Sequence, residues 1–96
     1  MGINELLAPH REAILAIAAR HGARNVRVFG SVARGDADGR SDVDFLVEME
    51  PDRSLMDLSG LTIDLRELLK REVDVVSERG LRERIRDRVL QEAIPL

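Results

Sequence analysis

The residues whose types and spacing can do chemistry are Asp42-Val43-Asp44, the Gly30-Ser31 dipeptide before them, and Asp74 further along. On an extended strand, residues two apart leave the same face with alpha carbons roughly 6.5 Å apart, so the Asp42 and Asp44 carboxylates can converge on ions between them. Magnesium is a hard cation that takes oxygen ligands, commonly one or two protein carboxylates plus substrate phosphates. Taken alone, Asp-x-Asp beside a loop is more often solvated or capping. Asp74 adds weight because it interrupts a valine-rich run, Val73-Asp74-Val75-Val76, and burying an unpaired carboxylate costs several kcal/mol. If that run lies beside the strand of Asp44, the third carboxylate joins the pair; if not, Asp74 sits at a strand end in water. Gly30 lets backbone approach a phosphate closely. The turn after it can aim N–H groups at an anion, and Ser31 adds a hydroxyl donor. Arg34 is near enough along the chain to add a phosphate contact.

The elements that must position these residues follow from the hydrophobic pattern. Ile3, Leu6, Leu7, His10, Ile14, Ile17 and Ala18 recur at helical spacing. Pro9 divides that pattern into a short helix, Ile3 to Leu7, and a second helix begun by the proline, which Gly22 ends. Asn25 to Phe29 reads as a strand with Val26 and Val28 on one face and Arg27 and Phe29 on the other. Residues 31 to 34 read as one helical turn and residues 35 to 40 as a polar loop. Asp42 to Glu48 is a second strand, with Val43, Phe45 and Val47 on one face and Asp42, Asp44, Leu46 and Glu48 on the other. Ser54 stands three before Asp57, a capping-box start for a helix that carries Leu55, Leu58, Leu61, Thr62, Leu65, Leu68 and Leu69 on one stripe as far as Lys70 or Arg71. Glu72 to Val76 is a third strand. Leu81, Ile85, Val89 and Ala93 mark a last amphipathic helix, stopped by Pro95.

The order helix, strand, strand, helix, strand, helix predicts an α+β fold: a small three-stranded mixed sheet with flanking helices. The crossover from residue 43 to 76 predicts that the second and third strands are parallel, or near neighbours if not.

Composition bounds the rest. The chain has 96 residues, an expectation of one domain, 1–96. It has 44% hydrophobic residues but only two Phe and no Trp or Tyr, so the core is aliphatic and a base-stacking nucleic-acid platform is disfavoured. A net charge of −3 with both signs mixed drives the chain onto neither nucleic acid nor membrane. With no cysteine there is no disulfide framework and no thiolate metal site. No run has signal-peptide form or spans a bilayer, which reads as cytoplasmic.

Gly30-Ser31, ten intervening residues and Asp42-Val43-Asp44, with Arg34-Gly35 and Ser41 between them, resemble the signature of the DNA polymerase beta-like nucleotidyltransferase superfamily. Phe29-Gly-Ser-Val-Ala-Arg-Gly followed by Ser41-Asp-Val-Asp-Phe-Leu-Val is similar to its minimal nucleotidyltransferase family, and the resemblance runs over nearly the whole chain. It implies a polymerase beta-like nucleotidyltransferase fold. It implies that Asp42 and Asp44 bind magnesium with the triphosphate of ATP, that Asp74 helps ligate metal and activates the attacking hydroxyl, and that Gly30 and Ser31 hold the phosphates. The reaction it implies is transfer of AMP to a hydroxyl with release of pyrophosphate. The partner it implies is a HEPN-domain ribonuclease toxin, with the chain as antitoxin adenylylating a tyrosine near the toxin's active site. Two other readings stand beside it: an antitoxin that neutralises by complex formation alone, and a transferase for a small molecule of aminoglycoside type, for which the chain leaves little material to enclose a substrate. Homo- and hetero-oligomers are both compatible with the sequence.

The remaining polar residues read as structural. His10 and His21 read as packed or capping. Asp36 and Asp38 read as loop carboxylates, and Glu48 and Glu50 as surface residues. Arg79, Arg82, Arg84, Arg86 and Arg88 make the C-terminal region basic, and Glu78, Glu83, Asp87 and Glu92 interleave with them as for a solvated helix with local ion pairs. A partner-binding face is the sharper alternative.

Overall fold

A computed structural model describes residues 1–96. A short helix α1 (Ile3–Leu6) leads through one 3-10 turn (Ala8–His10) into α2 (Arg11–Arg20). Strand β1 (Ala23–Phe29), the short helix α3 (Gly30–Arg34), strand β2 (Val43–Met49), helix α4 (Leu55–Leu69), strand β3 (Val73–Ser77), helix α5 (Glu83–Glu92) and strand β4 (Ile94–Pro95) follow. The sheet order is β3-β2-β1-β4. β1 runs antiparallel to both β2 and β4, and β2 runs parallel to β3. The mixed sheet and the parallel β2–β3 pair are as the pattern predicts. The expected three strands are four, because Pro95 does more than stop a helix. It sits on an edge strand opposite Arg27, where its missing N–H costs no ladder bond.

Alternation along β2 sets up two unequal faces. Val43, Phe45 and Val47 are fully buried with Val26 and Val28 of β1 and with Ile14, Leu61 and Leu65 of α2 and α4. On the other face Leu46 packs with Leu81 and Val89 under α5, with Phe29, Val76, Leu90 and Ala93 around them. Because β2 and β3 share register, Asp44 and Asp74 leave the sheet on this second face, beyond the part α5 covers.

Helix α4 begins as the sequence predicts. The Ser54 hydroxyl accepts from the Met56 N–H at 3.2 Å and the Asp57 carboxylate accepts from the Ser54 N–H at 3.0 Å. Three expectations about helix faces are corrected. Leu55 is 80% exposed, because it lies in the first turn, ahead of the segment that reaches the core. Ile85 is 45% exposed, because α5 starts at Glu83 and turns Val89 rather than Ile85 onto the sheet. His10 is exposed at the end of the 3-10 turn instead of lying on an apolar stripe. His21 is packed: Nε2 lies 2.7 Å from Asp64 Oδ2 and the ring rests against Gly60. No helix is long and apolar enough to cross a membrane.

Candidate active site

The site forms where β1, β2 and β3 bring one end of the second face together. Phe29, the last residue of β1, pairs with Asp44, and Asp44 pairs with Asp74 across β2 and β3. Asp42 stands just before β2, exposed and close enough to Asp44 to act on its charge. The three acidic residues are therefore neighbours at one end of the sheet: Asp44 and Asp74 leave the same face, and Asp42, expected as the first residue of the strand, stands just ahead of it. Asp74 is exposed on the edge strand and still alongside Asp44, so its two alternative placements coincide.

The chain turns out of β1 at Gly30 with φ +74°, a left-handed backbone that L side chains rarely adopt. A β-carbon there would lie 2.2 Å from Asp44 Oδ2. Glycine thus serves twice, allowing the turn and letting the Asp44 carboxylate sit against the backbone. Ser31 follows in the first turn of α3, where backbone N–H groups have no intrahelical acceptor. Val32, buried in the main core, anchors that turn.

Burial, then the neighbouring Asp74, Asp42 and Glu92 carboxylates, push the Asp44 carboxyl up to about 6, with Arg34 opposing the rise. Loss of water around the carboxylate is the larger cause, and the clustered negative charges add to it. The donors are all oxygen, the set magnesium prefers. They do not by themselves close into a cage of three ligands, and magnesium characteristically completes its shell from substrate phosphates and water. The donor chemistry fits that ion.

Arg34 lies at the same rim, but its guanidinium is engaged: it donates to the Glu92 carboxylate and approaches Asp36 at 3.5 Å. Glu92, at the end of α5, is a member of this electrostatic neighbourhood that the sequence reading assigned to a solvated helix. Arg71 is a second addition. Its Nη1 donates to the carbonyls of Asp38 at 3.1 Å and Ser41 at 3.0 Å, tying the loop before Asp42 to the end of the α4–β3 connection. Neither residue carries a local sequence signal, since both contacts close over thirty residues or more.

The arrangement of a glycine turn, a helix start and three carboxylates at strand ends can bind a metal-complexed polyphosphate. The description "nucleotidyltransferase domain" fits residues 10–96. Over 94 residues, 98% of this chain and 97% of the relative, the sequence is 38% identical to a protein of Methanocaldococcus jannaschii provisionally named protein adenylyltransferase MJ0435. Over 92 residues, 96% of this chain and 90% of the relative, it is 37% identical to the protein adenylyltransferase MntA of Thermococcus cleftensis. A solved structure provisionally described as a minimal nucleotidyltransferase superposes with a TM-score of 0.87 at 54% identity, covering 100% of this chain and 97% of that one. The fold alone is shared with a toxin–antitoxin crystallised with AMP-PNP, at a TM-score of 0.76 and 20% identity over 88% of this chain and 69% of that one. Sequence and fold agree over almost the full length, and the chain belongs to the nucleotidyltransferase domain family as a minimal nucleotidyltransferase.

Proposed function

We propose that this enzyme transfers AMP from ATP to a hydroxyl, a tyrosine in the first instance, of a HEPN-domain toxin in the cytoplasm, and so acts as that toxin's antitoxin. The observation that carries the reading is the register of β2 and β3, which sets Asp74 beside Asp44 and, with Asp42, beside the Gly30 turn. The names of the two sequence relatives support a protein acceptor, and the AMP-PNP-bound toxin–antitoxin of the same fold is consistent with an adenine nucleotide and a toxin partner.

Asp42, Asp44 and Asp74 would hold magnesium, which when bound neutralises charge on the triphosphate and the leaving pyrophosphate. Gly30 and Ser31 hold the phosphates through backbone N–H groups and the serine hydroxyl, and Arg34 reaches them by exchanging Glu92 for a phosphate oxygen. The acceptor oxygen forms a bond to the α-phosphorus as the bond to the bridging oxygen of the β-phosphate breaks, and pyrophosphate leaves with that electron pair. Asp74, at the open edge where an acceptor can enter, takes the hydroxyl proton. Positioning and charge neutralisation carry most of the barrier reduction in such transfers.

The test incubates the protein with ATP labelled at the α-phosphate, magnesium and the purified toxin. Label on a toxin tyrosine, absent with Asp42→Asn, is expected. Full neutralisation of the toxin by Asp42→Asn/Asp44→Asn, with the complex intact on gel filtration, would instead establish neutralisation by binding.

A further inference from the structure

The interleaved charges of the C-terminal region do not neutralise one another. Glu78 is taken by Arg27 of β1 at 3.3 Å, and Glu92 by Arg34 of α3. Every ion pair in the molecule involves other cations, so Arg79, Arg82, Arg84, Arg86 and Arg88 are all left without an acidic partner. The acids that remain free among them are Glu83 and Asp87. These exposed, unpaired arginines are a local excess of positive charge on a chain of net charge −3, with Arg82 and Arg86 along one side of α5 and Arg84 and Arg88 along another.

Two of these arginines meet apolar surface. Arg79 and Arg86 line a cavity of about 560 Å³ beyond the C-terminal ends of β2 and β3, with Leu55 and Leu58 of α4 also in its wall; the acids of that wall, Glu48, Glu50 and Glu78, are paired with Arg24, Arg53 and Arg27, which leaves Arg79 and Arg86 as its unpaired charges. Leu55 is 80% exposed and its neighbour Met56 83%, the two most exposed large apolar side chains of the molecule. Ile85, 45% exposed, stands between Arg84 and Arg86 along α5. Asp44 and Asp74 lie toward the other ends of the same strands, Asp44 roughly 15 Å away over the four to five residues to the cavity-lining Glu48 and Met49 and Asp74 roughly 10 Å away over the three to Ser77.

We propose that this groove docks an acidic surface of a partner protein, its carboxylates on Arg79 and Arg86 and an apolar side chain against Leu55, with the exposed Met56 next to Leu55 at the rim. Arginine and exposed apolar side chains together are what the centre of a protein interface uses. A nucleic-acid backbone would match the arginines but not the apolar wall. Docking at this end of the sheet anchors the partner while leaving the edge at Asp74 open for its acceptor residue. The inference rests on the transferase–toxin reading for the identity of the partner, but not for the location of the surface.

The experiment measures binding of the purified toxin to the full chain by titration calorimetry at 50 and 300 mM salt. The wild type is expected to bind, and more weakly at high salt. Arg79→Glu/Arg86→Glu is expected to weaken binding by about 100-fold, and Leu55→Ser/Met56→Ser by about 10-fold, with ATP binding and melting temperature unchanged in both. Asp44→Asn is expected to bind toxin normally while transferring no AMP. Wild-type binding that both groove variants retain overturns the docking surface and leaves the proposed function standing. A wild type that neither binds nor modifies the toxin overturns the proposed function and this use of the groove with it. A dimer in light scattering that dissociates in the groove variants, or duplex RNA bound through the arginines at 300 mM salt, overturns it in favour of those occupants.

Discussion

Replacing Asp44 by asparagine should make the unliganded protein more stable while removing its activity. The Asp44 carboxyl titrates at about 6 in the fold against 3.8 for the free side chain. Each pKa unit is worth about 1.4 kcal/mol, so the shift corresponds to at most about 3 kcal/mol, and solvent screening of this half-buried group reduces it to about 1–2 kcal/mol. The sign follows from the direction. A carboxyl raised on folding is one whose ionised form the fold disfavours, so the penalty is fully present above pH 6, shrinks as pH falls from 6 to 3.8, and vanishes below 3.8. Asparagine never ionises and never carries the penalty. In a chain of this size about 1 kcal/mol moves the melting temperature by about 4–8 °C. Thermal melts at pH 8 should therefore place Asp44→Asn several degrees above wild type, and the two should converge near pH 4. Magnesium with a non-hydrolysable ATP analogue should raise the wild type and leave the variant nearly unmoved, because only the wild type gains a bound state. A variant that melts below wild type at pH 8, or a gap equally large at pH 4, would refute the account of a desolvated carboxylate among repelling neighbours.

Other perturbations follow from single contacts. Gly30→Ala must place a β-carbon into the Asp44 carboxylate at a left-handed φ; urea unfolding should show a loss of about 1–3 kcal/mol, with transfer activity abolished even where the variant folds. Ser54→Ala removes the cap of α4 and should cost about 0.5–2 kcal/mol in the same assay while leaving transfer intact. Leu65→Ala opens a hole under a fully buried side chain and should cost about 2–5 kcal/mol. Arg71→Ala frees the carbonyls of Asp38 and Ser41, so hydrogen exchange at residues 38 to 42 should quicken and the KM for ATP should rise while the melting temperature changes little.

What the sequence disclosed depended on the range of the interactions. The capping box at Ser54 and the two faces of β2 are set by neighbours a few residues apart, and both are legible as pattern. The meeting of Asp44 and Asp74 was legible for a second reason: a strand–helix–strand crossover has few ways to close, and a lone carboxylate in a valine run needs an open face. β4 was not legible. Two residues are too short to show a period, and their pairing with Arg27 and Val28 lies more than sixty residues back along the chain. The engagement of Arg34 by Glu92 was hidden likewise, and with it the liberation of the C-terminal arginines, because local spacing suggests ion pairs that distant partners pre-empt.

The extent of the reactive face is set by where α5 ends. On that face β2 presents Asp44, then Leu46, and β3 presents Asp74, then Val76. The apolar pair needs cover, and the acidic pair needs access to ions and an acceptor. Helix α5 covers Leu46 through Val89, with Leu90 and Ala93 beside it, and then stops. Another turn in the same direction would carry the helix past Glu92 and closer to Asp44. Instead Ile94–Pro95 turns into extended backbone against β1, and the Leu96 N–H is bound to the Val26 carbonyl at 2.9 Å. Proline enforces the change, since its ring cannot continue the helix and its missing donor is harmless on an edge. Glu92 is left as the last helical residue, a carboxylate at the unfavourable negative end of a helix dipole, and Arg34 is the cation that makes its presence there tolerable. The edge strand thus holds the covering helix back from the carboxylates, and the Arg34–Glu92 pair marks the boundary between the packed half of the face and the reactive half.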